Sequence, residues 1–114
     1  MNLTELCQAT YAENQAKGFA PLSEETIHRA LLLVISEITE AQNELRTGRG
    51  LTEVYYSAAE DVLIPKPEGF PVEITDAIIR LFDICGGLGL DLDALVEEKR
   101  AFNRSRAPKH GKRF

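Results

Sequence analysis

The chain has 114 residues, of which 44% are hydrophobic and 27% charged, and its formal net charge is −5. This length and composition predict one globular domain, residues 1–114, and no apolar run approaches the roughly 18 residues that a membrane span needs. Five of the 13 Lys and Arg residues lie in a basic C-terminal tail, residues 104–114, which has no acid. Residues 1–103 therefore hold the other 8 bases and all 18 acids, a balance that argues against binding to a nucleic-acid polymer.

Four helices are predicted along the chain. They span residues 3 to about 17, about 24–46, about 72–88 and about 92–104. Gly18 ends the first helix, Ser23 is a predicted N-cap for the second, Pro71 suits the start of the third, and Asp91 caps the fourth. No stretch shows convincing strand alternation. The predicted fold class is all-α, a bundle of four to five helices.

The first half of the second helix is apolar nearly all round, so one partner helix cannot cover it. This pattern predicts either a central helix or one that is shared with a second subunit. Glycines and prolines break up the long connection that follows, residues 48–70, which fits either a short helix or an extended segment. Its Tyr55 and Tyr56 are predicted to anchor the loop to the body in preference to stacking on a base.

Two acidic pairs interrupt the second and third helices: Glu37 with Glu40, and Glu73 with Asp76. In each pair the carboxylates are three residues apart, which places them on one side of a helix, beside an apolar stripe. Like charges beside a core are unfavourable unless a cation neutralises them. A single pair of this kind is common on solvated helices. Two facing pairs would offer four oxygen ligands to Mg²⁺ or Mn²⁺.

The fourth helix carries Lys99 and, four residues later, Asn103, so that both polar ends can point to one place. A lysine beside a metal site fits the binding of phosphate. The alternative is a lysine whose stem covers apolar surface while its charge stays in water. The two cysteines have no partner at zinc-ligand or redox spacing, and the N-terminus is polar, which together predict a reduced, cytoplasmic protein.

The succession of these motifs resembles the MazG-like nucleoside triphosphate pyrophosphohydrolases, an all-α family. Residues 71–83, the Gly-Leu-Asp-Leu-Asp segment before the fourth helix, and residues 14–19 are also similar to that family. The connection between the two acidic pairs, residues 41–72, is longer than in the compact members. The residues that carry the motif are Glu37, Glu40, Glu73, Asp76, Lys99 and Asn103.

The resemblance implies Mg²⁺-dependent cleavage of a (d)NTP between the α and β phosphates, giving (d)NMP and pyrophosphate, with house-cleaning of the nucleotide pool as a role by analogy. It implies that the four carboxylates hold the metal, that one of them activates water, that Lys99 neutralises phosphate, and that Asn103 binds phosphate or a metal-bound water. It also implies a homodimer or homotetramer that completes the bundle. Further predicted substrate contacts are Arg80, Lys17, Arg106, Lys109 and Lys112; Arg80 could instead pair with the carboxylates.

Two other functions stay open on the sequence. The related phosphoribosyl-ATP pyrophosphohydrolases share the scaffold and the metal chemistry. A non-catalytic acidic helical module for oligomerisation or partner binding would also show exposed acids and apolar stripes. A di-iron bundle is disfavoured because it needs two Glu-x-x-His motifs, and the chain has one, Glu25 to His28.

Overall fold

The computed structural model describes residues 1–106, which form four helices and one short antiparallel sheet. The elements in chain order are α1 (Leu3–Ala16), α2 (Ile27–Arg46), β1 (Tyr55–Ser57), β2 (Lys66–Glu68), α3 (Phe70–Gly87) and α4 (Leu92–Ser105). All four predicted helices are present, which confirms a mainly helical fold. The two-stranded sheet was not predicted, because strands of three residues are too short to show an alternating pattern.

A side chain caps the start of α1 and of α4 but not the start of α2 or α3, and the start of α2 departs from the prediction. The Asp91 side chain accepts a hydrogen bond from the amide of Ala94 at 3.1 Å, so it caps α4 as predicted. Ser23 does not cap α2, which begins only at Ile27. Its hydroxyl accepts from the amide of Thr26 at 3.2 Å and closes a separate turn ahead of the helix.

Helix α3 lies between α1 and α2 and is the central helix of the single chain. On the α1 side the backbones approach closely: a Cβ added to Gly86 would collide with the carbonyl of Cys7 and with Tyr11. Asn14 Nδ2 also donates to Asp83 Oδ1 at 3.0 Å. The prediction that α2 is central is therefore wrong for one chain, and its alternative, a helix shared with a second subunit, stays a prediction.

The long connection forms a hairpin, in which Tyr55 pairs with Glu68. The Tyr55 hydroxyl donates to Glu44 Oε1 on α2 at 2.8 Å, and the guanidinium of Arg49 lies 3.7 Å from the centre of the Tyr55 ring. These contacts confirm that Tyr55 anchors the loop to the helices. The Tyr56 side chain, by contrast, is exposed.

Helix α4 begins beside the start of α1. The amide of Thr4 donates to Asp93 Oδ2 at 2.8 Å, and the Thr4 hydroxyl donates to Asp91 Oδ1 at 3.0 Å. None of the α4 residues is buried. This helix is therefore held at its first turn and remains solvated along its length.

Few apolar side chains are buried within the described part of the chain. They are Cys7, Ala41, Ala77 and Ile84. On α2, Leu32 and Ile35 are 64% and 59% exposed, so the face predicted to need more than one partner stays uncovered. The Cα radius of gyration is 17.1 Å, compared with about 13 Å for a compact domain of this length. None of the four helices is long and apolar enough to cross a membrane.

Candidate functional site

The two acidic pairs meet where α2 packs against α3. Glu37 contacts Arg80, whereas Glu40 lies near Glu73, so the two helices run antiparallel. One carboxylate oxygen from each of Glu37, Glu73 and Asp76 lies within 4.8 Å of the others. We call these three residues the acidic cluster. Its geometry is suited to a cation, because three oxygen ligands on two packed helices converge on one small volume.

Glu73 is the least satisfied member of the acidic cluster. Its Oε2 atom is buried and has no hydrogen-bond partner. Burial, together with the neighbouring carboxyls of Glu37, Glu40 and Asp76, raises the pKa of Glu73 to about 8. Ionised carboxylates cannot donate hydrogen bonds to one another. Glu73 therefore needs either a proton or a cation, and the buried, unpaired oxygen fits a divalent metal ion.

Nearby cations offset part of the negative charge of the other two members, Glu37 and Asp76. Arg80 Nε donates to Glu37 Oε1 at 3.1 Å, and Glu37 is only 8% exposed. Burial raises the pKa of Asp76 and the charge of Glu37 raises it further, while Arg80 and Lys66 act in the opposite direction. The cluster therefore carries more negative charge than its protein cations neutralise.

The fourth predicted ligand, Glu40, lies outside the acidic cluster. Its side chain is exposed on α2, although its carboxyl is near enough to raise the pKa of Glu73. Glu40 is thus placed beside the cluster, with its carboxylate accessible to solvent.

A cleft of about 720 Å³ opens beside the acidic cluster, between the end of α1, the segment before α2, and the facing sides of α2 and α3. This volume lies in the range of pockets that bind small molecules. Glu37 and Asp76 form part of its wall, and its cationic lining residues are Lys17, Arg29 and Arg80. A cleft with carboxylates at one place and cations nearby can accommodate a polyphosphate together with its metal ion.

The predicted phosphate-binding residues of α4 are not brought to this cleft by the single chain. Within residues 1–106, the cleft is lined by α1, α2, α3 and the segment before α2. Lys99 is exposed, with its Nζ 5.0 Å from the centre of the Phe102 ring, and Asn103 is exposed on the next turn. Arg106 is the C-cap residue just after this helix, and its guanidinium lies 5.9 Å from the centre of that ring. Lys109 and Lys112 lie outside the described residues.

The sequence prediction missed two cations near the cluster. Arg29 lies four residues before Leu33 and eight before Glu37, so all three lie on one side of α2. Following this side of the helix from Glu37 toward the N-terminus would have identified Arg29. Lys66 acts on the pKa of Asp76 from β2. No periodic signal identifies Lys66, because its position depends on the hairpin.

A second cavity, of about 410 Å³, lies within the hairpin loop. Residues 56–59 and 62–65 line it, and none of them carries a charge. It therefore offers neither a carboxylate for a metal ion nor a cation for a phosphate.

Comparison of the chain with family models, with curated proteins and with solved structures found no match in any of the three. Functional assignment therefore depends on the residues of the site and on the sequence motif.

Proposed function

We propose that the chain is a Mg²⁺-dependent nucleoside triphosphate pyrophosphohydrolase, which cleaves a (d)NTP between the α and β phosphates to (d)NMP and pyrophosphate. The observation that carries the proposal is the buried Oε2 of Glu73, which has no partner among converging carboxylates. A divalent cation would satisfy this atom and would draw a polyphosphate to the adjoining cleft. Mn²⁺ has similar ligand preferences and is expected to substitute.

In this proposal the acidic cluster holds the metal. When bound, Mg²⁺ would neutralise charge that develops on the phosphate oxygens. Arg80 keeps the Glu37 carboxylate in place through their ion pair. Lys17 and Arg29 line the cleft. Lys17 would bind a phosphate group through its compact ammonium group, and Arg29 would do so through its planar guanidinium.

We assign the activation of water to Glu40, because it is next to the cluster, exposed, and outside the group of three converging carboxylates. Its carboxylate would accept a proton from water as the water oxygen bonds to the α-phosphorus. The bridging oxygen between the α and β phosphates then leaves with pyrophosphate. General-base catalysis of this kind contributes roughly 10²- to 10⁴-fold to a rate.

The uncovered apolar face of α2 supports the proposal that the chain works as a homodimer or homotetramer. The proposed location is the cytoplasm, and the two free cysteines, Cys7 and Cys85, are compatible with a reducing compartment. The acidic surface supports a small nucleotide as substrate in preference to a nucleic-acid polymer.

The test is a panel of standard and modified (d)NTPs, with phosphoribosyl-ATP included, each incubated with Mg²⁺ and scored for monophosphate plus pyrophosphate. The wild type is expected to release both, Glu73→Gln to release neither, and Glu40→Gln to be slower by about 10²-fold or more. Glu5→Gln, which removes an exposed carboxylate at the start of α1, is the matched control and is expected to keep full activity. Release of orthophosphate would contradict α–β cleavage. A chain inactive on every nucleotide would support the non-catalytic helical module.

A further inference from the structure

The cleft continues from the acidic cluster to a polar and aromatic wall beside the end of α1. We call this wall the α1 side of the cleft, and its residues are Asn14, Gln15, Phe19 and Asp83. Asp83 follows Asp76 by seven residues, so the two carboxylates lie on one side of α3, two turns or about 10.5 Å apart along its axis. A nucleotide whose phosphates lie at the acidic cluster can therefore extend its nucleoside toward Asp83.

The hydrogen bond between Asn14 and Asp83 determines which atoms these two side chains offer to a ligand. Asn14 Nδ2 donates to Asp83 Oδ1 at 3.0 Å. An ionised carboxylate only accepts, so the amide nitrogen faces Asp83 and Asn14 Oδ1 is turned away from it. A carboxylate has about four lone-pair sites, and this bond uses one of them. Two adjacent side chains therefore offer hydrogen-bond acceptors.

The neighbouring residues add a further acceptor and an aromatic ring. Gln15 Nε2 donates to the carbonyls of Phe19 at 3.3 Å and Ala20 at 3.5 Å, so the Gln15 amide oxygen points away from these carbonyls. The amide of Phe19 donates to the backbone carbonyl of Asn14 at 3.2 Å, which holds Phe19 close to the pair. Phe19 is 63% exposed. An exposed ring in the wall of a cleft is a surface on which a nucleobase can stack.

Protein acceptors recognise the donor groups of a base, and the common bases differ in these groups. Guanine has two adjacent donors on its pairing edge, N1–H and the 2-amino group. Adenine and cytosine have one amino group beside a ring-nitrogen acceptor, and uracil and thymine have one N–H between two carbonyls. A base acceptor that faced a protein acceptor would leave both without a partner, which is unfavourable. Guanine is thus the base whose donors match acceptors on two adjacent side chains.

We propose that Asn14 and Asp83 select guanine nucleotides as the substrates of the cleft. Asn14 Oδ1 accepts from N1–H, the Asp83 carboxylate accepts from the 2-amino group, and the base stacks on Phe19. The hydrogen bond that joins α1 to α3 then also sets the base preference, because it fixes the direction of the Asn14 amide. The placing of a nucleotide in the cleft rests on the proposed function, whereas the choice of base rests on this pair.

Binding of nucleoside monophosphates tests the base preference without using activity, because a monophosphate has no phosphoanhydride bond to cleave. Isothermal titration calorimetry with Mg²⁺ present gives the dissociation constants of GMP, IMP and XMP. IMP lacks only the 2-amino group of guanine, and in XMP a carbonyl replaces it. The wild type is expected to bind GMP about 10-fold or more tightly than IMP, and XMP more weakly than IMP. Equal constants for GMP and IMP, or binding of none of the three, would overturn the proposal.

Asp83→Asn exchanges an acceptor for a donor while keeping the contact between the helices. The new amide oxygen can still accept from Asn14 Nδ2, and the new amide nitrogen donates where the carboxylate accepted. A donor there fits the 2-carbonyl of xanthine and not the 2-amino group of guanine. The variant is therefore expected to bind XMP about 10-fold or more tightly than GMP. An unchanged preference for GMP in the folded variant would overturn the proposal, and if the variant does not fold, the wild-type constants decide it.

Two further variants separate base selection from general effects. Glu13→Gln makes the same carboxylate-to-amide change at an exposed residue next to Asn14 and is expected to keep the wild-type order of affinities. Phe19→Ala removes stacking, which every base can use, so it should weaken GMP and IMP by the same factor, about 10-fold. A preference that Glu13→Gln alters as much as Asp83→Asn does would assign it to overall charge and overturn the role of Asp83.

The proposed function and the base preference can fail separately. If no triphosphate releases pyrophosphate, the proposed function fails, and the monophosphate constants still decide the base. If GTP and ITP release pyrophosphate with equal kcat/KM, the cleavage reaction stands and the guanine preference is overturned.

Discussion

Arg80 and Glu37 form an ion pair across the interface between α3 and α2, with Arg80 Nε 3.1 Å from Glu37 Oε1. Within residues 1–106, Glu37 is the only charged residue that is buried. Arg80 thus neutralises a carboxylate that water barely reaches, and it does so at the edge of the acidic cluster. This pair makes the site part of the packing between the two helices.

Replacing Arg80 should therefore destabilise the fold. Arg80→Met keeps much of the side-chain volume and leaves the Glu37 carboxylate without its donor. An unsatisfied buried acceptor costs about 1–3 kcal/mol, and more when it is charged. Urea unfolding at pH 7 measures the change. Arg29→Met is the control, because Arg29 is an exposed cation of the same cleft, and its replacement is expected to change the unfolding free energy by no more than about 0.5 kcal/mol. Equal effects from the two variants would contradict a structural role for the ion pair.

Glu73 should make the stability of the metal-free protein depend on pH. Its pKa is about 8 in the folded chain, against an ordinary value of 4.5. Between these values the folded state holds a proton that the unfolded state has lost, so the free energy of unfolding falls as pH rises from about 5 to 8. Thermal unfolding in EDTA across this range should show the decrease, and Glu73→Gln should reduce its slope.

Asp93 provides the control for this pH dependence. The amide of Thr4 donates to its carboxylate and lowers the pKa of Asp93. Its contribution to stability is therefore fully present above the ordinary pKa and is lost only in acid. Asp93→Asn should lower stability at pH 7 but leave the slope between pH 5 and 8 as in the wild type. A slope that Glu73→Gln leaves unchanged would mean that another group binds the proton.

The meeting of the acidic residues was predictable because helical periodicity determines which face of a helix each side chain lies on. Once Glu37 and Glu73 lie beside apolar stripes on neighbouring helices, packing of the stripes brings the acids together. The direction of α4 was not predictable in this way. It depends on contacts such as Thr4 with Asp93, between residues nearly ninety positions apart, which leave no periodic trace. Likewise, three-residue strands are too short to establish an alternating pattern, so the hairpin and Lys66 were missed.

The close approach of α1 and α3 predicts sensitivity at Gly86. A Cβ at this position would collide with the Cys7 carbonyl, which belongs to helix backbone and cannot rotate away. Gly86→Ala should therefore push the helices apart and cost about 1–3 kcal/mol, as overpacking usually does. Gly50→Ala is the control, because its nearest contact would be an ordinary 3.7 Å to the Cβ of Glu53. Melting temperatures of the two variants give the comparison, and a Gly86→Ala chain as stable as Gly50→Ala would show that the interface relaxes freely.

Divalent cations should stabilise the folded chain through the acidic cluster. A ligand that binds only the folded state at 100 times its dissociation constant adds about 2.7 kcal/mol to the free energy of unfolding. Mg²⁺ and Mn²⁺ are therefore expected to raise the melting temperature of the wild type, and to raise it more at pH 8 than at pH 6, because a proton on Glu73 competes with the metal. NaCl at equal ionic strength separates binding from the screening of like charges. Asp76→Asn should lose most of the Mg²⁺ effect while keeping the response to NaCl. If Mg²⁺ raised the melting temperature equally in the wild type and in Asp76→Asn, the cation would bind elsewhere on the acidic surface. The buried oxygen of Glu73 would then be satisfied by a proton.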